Sequence, residues 1–259
     1  MIGPEREYTM GARFAGKVVL VTGGGSGIGR ATARAFAAEG ATVVVAGRDE
    51  RRLASAVEEI GGDASAVTVD VTDSADVARM VETIVARHGG LDVAFNNAGI
   101  LGSPAPVADL DEDGFGAVLD TNVTGTWLCL KHEVAHMRAH GGGAIVNMAS
   151  NIGAHGRLPN MAAYAASKAA VSALTRTAAR DHIGDGVRIN AVSPGATDTD
   201  MSRRPGETDA DRAARLKDAI PLGRVGATAE VAAAVLWLAS DEAAFTVGHD
   251  LVVDGGATA

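Results

Sequence analysis

The sequence predicts an α/β protein made of a single doubly wound domain, in which helices cover both faces of a parallel seven-stranded sheet. Short β-branched, apolar runs alternate with longer helical segments along the chain, which is typical of βαβ units. Glycine-rich or polar residues end most of these elements, and no linker or internal repeat divides the chain. We therefore expect one domain over residues 14–259, preceded by a flexible N-terminal tail over residues 1–13.

Each element of this domain follows from a local pattern. The seven predicted strands are apolar, β-branched runs at residues 17–21, 42–46, 66–69, 91–95, 144–148, 187–192 and 250–253. The predicted helices lie at residues 28–39, 50–60, 75–88, 112–139, 161–182 and 229–239, and several are ended by glycine. The charged segment 199–220 has neither pattern, and we expect it to form a mobile flap.

Composition and charge argue against several classes of protein. The 259 residues carry a net charge of −9 without a basic cluster, which argues against a nucleic-acid partner. No apolar run approaches the roughly 20 residues that span a bilayer, and the N-terminal residues lack an apolar signal core. The single cysteine, Cys129, permits no internal disulfide. These features predict a cytoplasmic protein with neither a membrane nor a nucleic acid as its partner.

A glycine-rich turn follows the first predicted strand and opens the first helix. Its residues are Gly23, Gly25, Ser26, Gly27, Ile28 and Gly29. Glycines permit a tight turn and a close approach of backbone to phosphate, and the free N–H groups of the helix start face the anion. In this strand–turn–helix context the motif predicts a Rossmann-type dinucleotide site, with a plain flexible loop as the alternative.

The end of the second predicted strand indicates which dinucleotide binds. An acid there would hold the ribose 2′-hydroxyl of NAD, whereas an arginine accommodates the 2′-phosphate of NADP. The chain has Gly47 where the acid is expected, followed by Arg48 and Asp49. This pattern favours NADP, through a charge-assisted contact of Arg48. NAD stays possible if Asp49 turns toward the ribose, and Arg48 is then an ordinary solvated residue at a helix start.

Three side chains after the fifth predicted strand suggest proton transfer. Tyr164 and Lys168 lie four residues apart in a predicted helix and therefore share one face. An ammonium near a tyrosine hydroxyl favours the phenolate, and such a tyrosine can exchange a proton with an alcohol oxygen. Ser150 directly follows the strand and is expected to hold a substrate oxygen. Asn122 lies in the fourth helical region, where the alternative is a polar residue that weakens the helix.

Together these motifs resemble the short-chain dehydrogenase/reductase family from about Lys17 to the C-terminus. The resemblance rests on an ordered set: the turn from Thr22 to Gly29, Asp70-Val71, Asn96-Asn97-Ala98-Gly99, Asn122, Ser150, Tyr164-Ala-Ala-Ser-Lys168, Pro194-Gly195 and Thr199. It implies an oxidoreductase that moves a hydride between nicotinamide and an alcohol or carbonyl of a small molecule. It also implies a homotetramer or homodimer formed through the two long helices.

The resemblance assigns a role to each matching residue. Tyr164 is the acid/base, Lys168 lowers its pKa and holds the nicotinamide ribose, and Ser150 positions the carbonyl. Asn122 supports a proton-relay water. The remaining cofactor contacts fall on Asp70 and Val71 at the adenine, on Asn97, Ala98 and Gly99 after the central strand, and on Pro194, Gly195, Thr197 and Thr199 near the carboxamide.

The substrate pocket is expected between the flap and the segment after Ser150, which contains Ile152, His155 and Leu158. These side chains hint at a neutral substrate of modest size. The gap of 14 residues between Ser150 and Tyr164 is about one residue longer than the family pattern. This difference leaves the shape of the loop at residues 155–159 open.

A second motif suggests a different chemistry. His132, Glu133 and His136 spell H-E-x-x-H, which on a helix can bind zinc with the glutamate as a base. We disfavour this metallohydrolase hypothesis and predict no metal, because the other motifs belong to a dinucleotide fold and His140 misses the longer zinc pattern. The alternative is a polar, exposed helix end. A catalytically inactive dinucleotide-binding regulator is also disfavoured, because the tyrosine, lysine and serine are all present.

Overall fold

The computed structural model describes residues 12–204, 206–217 and 219–259, so most of the predicted tail lies outside the described residues. The strands are β1 (Val18–Thr22), β2 (Thr42–Gly47), β3 (Ser65–Thr68), β4 (Val93–Asn96), β5 (Gly143–Met148), β6 (Val187–Pro194) and β7 (Asp250–Val253). They form one parallel sheet in the order β3-β2-β1-β4-β5-β6-β7. This arrangement confirms the predicted doubly wound fold.

Helices cover both faces of the sheet, as predicted. They are α1 (Gly27–Ala38), α2 (Glu50–Ile60), α3 (Ser74–His88), α4 (Glu112–Leu119), α5 (Gly125–Ala139), α6 (Ala162–His182), α7 (Asp209–Lys217) and α8 (Thr228–Ala239). Within the described ranges, none of these helices combines the length and the hydropathy needed to cross a bilayer.

Alternating residues of the central strands face two separate cores. Val19 and Val21 of β1 pack with Phe36 and Val235, and so join the layer of α1 and α8. Leu20 packs on the opposite face, in the cluster that includes side chains of α3, α5 and α6. This alternation follows from the two-residue period of a strand. Because both faces are covered, the strands read as continuous apolar runs.

The prediction of one continuous helix over residues 112–139 is wrong. A π-helical turn at Asp120–Thr124 divides this region into α4 and α5. The N–H of Gly125 donates to the carbonyl of Asp120, five residues back. The Asn122 carbonyl accepts a hydrogen bond from the Thr126 hydroxyl at 2.8 Å, which competes with the regular helical pattern. Such turns inside helices frequently mark functional sites.

The segment predicted as a patternless flap also contains regular structure. A 3-10 turn covers Asp200–Ser202, and α7 follows it. Leu216 and Ile220 are buried, and so is the charged side chain of Arg212. The described part of this segment is therefore packed against the domain through both apolar and ionic contacts.

Candidate active site

The predicted site residues meet at the edge formed by the carboxyl ends of the strands. The chain order switches between β1 and β4, which are neighbours in the sheet, and doubly wound proteins bind ligands at this switch point. The glycine turn follows β1, and residues 97–99 follow β4. Ser150 follows β5, while Pro194 ends β6 and Gly195 comes next. Four strand ends thus contribute to one site.

The glycine turn is too crowded for side chains. A Cβ atom on Gly29 would lie 2.4 Å from the carbonyl oxygen of Gly23 and 2.5 Å from Nδ2 of Asn97. Gly23 and Gly27 have φ angles of 64° and 51°, which favour glycine. A Cβ on Gly27 would lie 3.2 Å from Cγ2 of Thr199, so the turn faces the chain after β6. Backbone rather than side chains is presented to a ligand here.

The start of α1 is suited to an anion. Ser26 makes no side-chain cap, and the first turn of α1 contains no acidic residue. By contrast, Asp49 and Asp73 cap α2 and α3 by accepting hydrogen bonds from the backbone, and both first turns also carry an acid. The N–H groups and positive dipole end of α1 therefore lack the compensation that the neighbouring helices have. This geometry fits the pyrophosphate of a dinucleotide.

The end of β2 is open and cationic. A Cβ on Gly47 would meet only the tip of Leu53, at 3.8 Å. Asp49 accepts hydrogen bonds from the N–H groups of Arg51 and Arg52 at 3.0 and 3.1 Å, so its side chain caps α2. Arg48 is exposed.

Sequence reasoning missed one cation at this end of the site. Cβ of Arg52 lies 3.0 Å from the Cβ position of Gly25, which places the start of α2 against the glycine turn. The guanidinium of Arg52 itself lies 3.5 Å from the Asp49 carboxylate. The sequence could have indicated Arg52, because it lies four residues after Arg48 in the first turn of the predicted helix.

Asp70 and Val71 follow β3 in the same region. Hydrogen bonds from the backbone and hydroxyl of Thr72 hold the pKa of Asp70 below its ordinary value, and the charge of Arg48 adds to this effect. Val71 is buried against α5, since a Cβ on Gly125 would lie 2.8 Å from its Cγ2.

Asn97 and Ala98 tie β4 to β1. Both backbone N–H groups donate to Oγ1 of Thr22, at 3.0 and 3.1 Å. The Asn97 amide also donates to the carbonyls of Thr22 and Gly23, at 3.0 and 3.3 Å. Asn97 therefore links the carboxyl ends of the two neighbouring central strands, β1 and β4.

Tyr164, Lys168 and Ser150 lie together on α6 and the end of β5. The ammonium of Lys168 is buried, donates to the carbonyl of Met148 at 2.7 Å, and lies 5.8 Å from the centre of the Tyr164 ring. Tyr164 is hydrogen-bonded to Ser150, whose oxygen also accepts from the N–H of Ile152 at 3.1 Å. A phenol, a hydroxyl and an ammonium thus meet in one partly desolvated place.

Burial sets the pKa values in this group. It raises the pKa of Tyr164, and the hydrogen bond with Ser150 opposes that rise. Burial also lowers the pKa of Lys168 to about 8. The sequence led us to expect that Lys168 lowers the pKa of Tyr164, but the ammonium lies over the ring and desolvation has the larger effect. Tyr164 is therefore a neutral phenol at pH 7.

Asn122 is fully buried in the π-helical turn. Its amide accepts from the N–H of Ile100 at 2.8 Å and donates to the Ile100 carbonyl at 2.9 Å. It also donates to Oγ of Ser167 at 3.0 Å. A Cβ on Gly99 would lie 3.0 Å from the Asn122 oxygen and 3.4 Å from the Lys168 nitrogen, so these groups line one cleft.

A buried arginine, which sequence reasoning missed, holds the chain after β6. Arg212 of α7 donates to the carbonyl of Thr197 at 3.0 Å and to the carboxylate of Asp198 at 2.6 Å. The same carbonyl accepts from the hydroxyl of Ser202 at 2.6 Å. The flap is therefore fastened to Thr197, beside Thr199 and the glycine turn. No local pattern predicts this contact, because 15 residues separate its partners.

The H-E-x-x-H motif does not form a metal site in the structure. Glu133 is fully buried and accepts a hydrogen bond from Asn96 at 2.9 Å, so the expectation of an exposed helix end is wrong for this residue. His132 contacts the hydroxyl of Ser74 at 3.2 Å, and His136 stacks on His140. Over the ranges that the structure describes, no group of three or more His, Cys, Asp or Glu side chains is arranged to hold a metal ion.

Comparisons with known proteins identify the class of this chain. A family model described as enoyl-(acyl carrier protein) reductase matches residues 23–258. Cis-4-hydroxycyclohexanecarboxylate dehydrogenase of Sinomonas cyclohexanicum is 45% identical over 255 residues, which cover 96% of this chain and 100% of that protein. Cyclohexanol dehydrogenase of Acinetobacter sp. (strain SE19) is 39% identical, with 97% and 99% covered.

Solved structures agree with these relatives. Levodione reductase matches with a TM-score of 0.91 and 35% identity, covering 95% of this chain and 98% of that chain. A short-chain type dehydrogenase/reductase from Mycobacterium marinum matches with a TM-score of 0.89 and 37% identity, covering 95% and 96%. The chain belongs to the short-chain dehydrogenase/reductase family. It is an oxidoreductase that acts on alcohol and carbonyl groups, and its family uses NAD(P).

Proposed function

We propose that this protein is an NADP(H)-preferring oxidoreductase that interconverts a ring ketone and a secondary alcohol, with Tyr164 as the acid/base. The observation that carries the proposal is the Tyr164–Ser150 hydrogen bond beside the buried Lys168, at the strand ends next to the glycine turn. In this arrangement both hydroxyl groups reach one carbonyl oxygen. Ser150 orients that oxygen, and Tyr164 donates the proton to it. Reduced nicotinamide, when bound, supplies the hydride.

The pKa values support carbonyl reduction at neutral pH. Tyr164 has a raised pKa and is neutral, which is the form that donates a proton. Lys168, with a pKa of about 8, is mostly charged at pH 7. Its ammonium donates to the Met148 carbonyl and lies near Gly99, and we assign it to binding the nicotinamide ribose. We assign Asn122 to the support of a proton-relay water next to it.

The preference for NADP rests on the end of β2. Asp49 is engaged as the cap of α2, and Gly47 leaves room where an acidic side chain would bind a 2′-hydroxyl. We assign the 2′-phosphate to Arg48, with Arg52 in the first turn of α2 as a second cation nearby. The other proposed cofactor contacts are the glycine turn (Gly23, Gly25, Ser26, Gly27, Ile28 and Gly29), Asp70, Val71, Asn97, Ala98, Gly99, Tyr164, Lys168, Pro194, Gly195, Thr197 and Thr199.

A six-membered ring is the proposed substrate framework. Two relatives, at 45% and 39% identity, are named for a hydroxycyclohexanecarboxylate and for cyclohexanol, and each is matched over nearly its whole length. Ile152 and Leu158, on the loop after Ser150, supply apolar side chains that suit such a ring. Leu158 is 54% exposed, which leaves it free to cover an apolar ligand.

We also propose that the protein works as a homodimer or homotetramer in the cytoplasm. Phe115 on α4 and Trp127 on α5 are 37% and 47% exposed, and large aromatic side chains on these helices suit a subunit interface. The buried free thiol of Cys129 is compatible with a reducing compartment. Sedimentation of the purified protein tests the assembly, and a monomer at micromolar concentration contradicts it.

A matched panel tests the proposed reaction. Initial rates are measured with cyclohexanone and with cis-4-hydroxycyclohexanecarboxylate, each with NADP(H) and with NAD(H). We expect turnover of at least one ring substrate and a kcat/KM at least about tenfold higher with NADP(H), which corresponds to about 1.4 kcal/mol. A higher kcat/KM with NAD(H) contradicts the cofactor preference. Turnover restricted to open-chain substrates contradicts the ring framework.

A further inference from the structure

A buried carboxylate lies beneath the active-site loop. Asp250 begins β7, and its side chain is 1% exposed. The hydroxyl groups of Ser172 and Ser193 donate to its two oxygens. Nε2 of His155 lies 3.0 Å from the same oxygen that Ser172 contacts, which is within ion-pair distance. Two hydroxyl donors and the nearby imidazole thus compensate a carboxylate that burial would otherwise destabilise.

These donors come from three segments that carry the active site. Ser172 lies on α6 one turn beyond Lys168, and its hydroxyl is also 3.2 Å from the Lys168 carbonyl. Ser193 lies on β6, directly before Pro194. His155 lies on the loop between Ser150 and Tyr164. The Asp250 carboxylate therefore connects the helix, the strand and the loop whose relative positions define the site.

The loop itself is a small, internally bonded turn. The N–H of Gly153 donates to the carbonyl of Gly156 at 3.0 Å, and the N–H of Gly156 donates to the carbonyl of Asn151 at 2.6 Å. Arg157 donates to the carbonyls of Gly153 and Gly156. Near the tip of this turn, the side chain of His155 reaches down to the sheet and is 23% exposed. The pair with Asp250 thus anchors the tip to the body of the domain.

The anchor has a direct route to the reacting groups. The N–H of Ile152, in the same turn, donates to the Ser150 oxygen at 3.1 Å. That bond holds the Ser150 oxygen in one position, from which the hydroxyl can donate to Tyr164 or to a substrate oxygen. A loosened turn withdraws this donor and frees the serine to rotate.

We propose that His155 and Asp250 form a positioning pair that fixes the loop between Ser150 and Tyr164, and through Ile152 sets the orientation of the Ser150 hydroxyl toward the substrate carbonyl. The inference rests on the proposed function for its catalytic consequence. The anchoring contact itself is independent of that function. His155 is therefore a determinant of substrate binding without being a proton donor in the reaction.

Two substitutions of His155 test the pair. His155→Leu removes the donor, whereas His155→Gln keeps a neutral N–H donor able to reach Asp250. The control is His182→Leu, because the His182 ring also lies 3.0 Å from a carboxylate, that of Asp185, at the far end of α6. Thermal midpoints establish that all variants are folded.

Kinetics with cyclohexanone at saturating NADPH give the first readout. For His155→Leu we expect KM for cyclohexanone to rise about tenfold or more, which corresponds to roughly 1.4 kcal/mol, and kcat to fall by a smaller factor. The Kd of NADPH, measured by nicotinamide fluorescence, should stay within about twofold of wild type, or roughly 0.4 kcal/mol. His155→Gln is expected within about threefold of wild type. Unchanged KM in His155→Leu, or an equal loss of NADPH affinity, overturns the proposal.

Hydrogen exchange gives a second readout that needs no turnover. Amides of residues 152–156 are expected to exchange faster in His155→Leu than in wild type, with no change in His182→Leu. Equal protection in both variants overturns the anchor. If wild type reduces no ring ketone, the proposed function fails, and the exchange result still decides whether His155 holds the loop.

Discussion

Replacing Glu133 by glutamine is expected to stabilise the protein at alkaline pH. The Glu133 side chain is fully buried on α5, and a hydrogen bond from Asn96 to one of its oxygens opposes only part of the cost of burial. Burial therefore raises the pKa of Glu133 from 4.5 to about 7. Glutamine has nearly the same shape and keeps an oxygen that accepts from Asn96, but it carries no charge.

The sign and size of the effect follow from this pKa. Between pH 4.5 and 7 the folded state keeps a proton that the unfolded state releases, so stability falls as the pH rises through this window. Each unit of pKa difference corresponds to about 1.4 kcal/mol, and ionised Glu133 therefore costs the folded state on the order of 3 kcal/mol above pH 7. Protonated glutamate and glutamine are equivalent in charge, so the variant gains little at low pH.

Urea unfolding at pH 5 and pH 9 measures this difference. We expect Glu133→Gln to match wild type within about 1 kcal/mol at pH 5 and to exceed it by about 2–3 kcal/mol at pH 9. The exposed Glu58→Gln on α2 serves as a control and should show no such pH dependence. An equal stability difference at both pH values refutes the reasoning. The same variant should keep its oxidoreductase activity, whereas a zinc hydrolase using the H-E-x-x-H motif would lose its base.

Three further predictions concern the cofactor, the proton and the flap. Arg48→Ala should weaken NADPH binding at least about tenfold and NADH binding less than about twofold, since a charged hydrogen bond contributes about 1.5–3 kcal/mol. Titration by nicotinamide fluorescence measures both affinities. Equal losses of affinity for the two cofactors argue against a 2′-phosphate contact. Because the pKa of Tyr164 is raised, the initial rate of ketone reduction should stay level from pH 6 to 8. The initial rate of alcohol oxidation should increase with pH toward the alkaline range. An oxidation rate that does not change with pH would contradict the assignment of Tyr164 as the acid/base. Arg212→Ala should release the flap from Thr197. We therefore expect faster tryptic cleavage within residues 203–217 and NADPH binding that is about tenfold weaker. Cleavage at the wild-type rate would show that other contacts hold the flap.

The sheet and the proximity of Tyr164 to Lys168 were predictable because their signals are local. Val19, Leu20 and Val21 are apolar in succession, which indicates a strand buried on both faces. The four-residue spacing of Tyr164 and Lys168 places both on one side of a helix without further information.

Other features depend on contacts that join distant parts of the chain. The π-helical turn at Asn122 is accompanied by hydrogen bonds to Ile100 and Ser167, which lie 22 and 45 residues away. Glu133 belongs to a motif that predicts an exposed helix end, yet it is buried and its hydrogen-bond partner, Asn96, is 37 residues away. His155 meets Asp250 only because the sheet order brings β7 next to β6. No window of the sequence contains these pairs.

The most direct test of the central claim is the Tyr164→Phe variant. Phenylalanine keeps the ring beside Lys168 and removes only the hydroxyl to which we assign the proton donation. NADPH-dependent reduction of a ring ketone that wild type turns over should fall at least about a hundredfold, which corresponds to about 2.7 kcal/mol of transition-state stabilisation. NADPH binding should stay within about twofold of wild type. Retention of more than a few per cent of the activity, with cofactor binding intact, would contradict the role of Tyr164 as the acid/base.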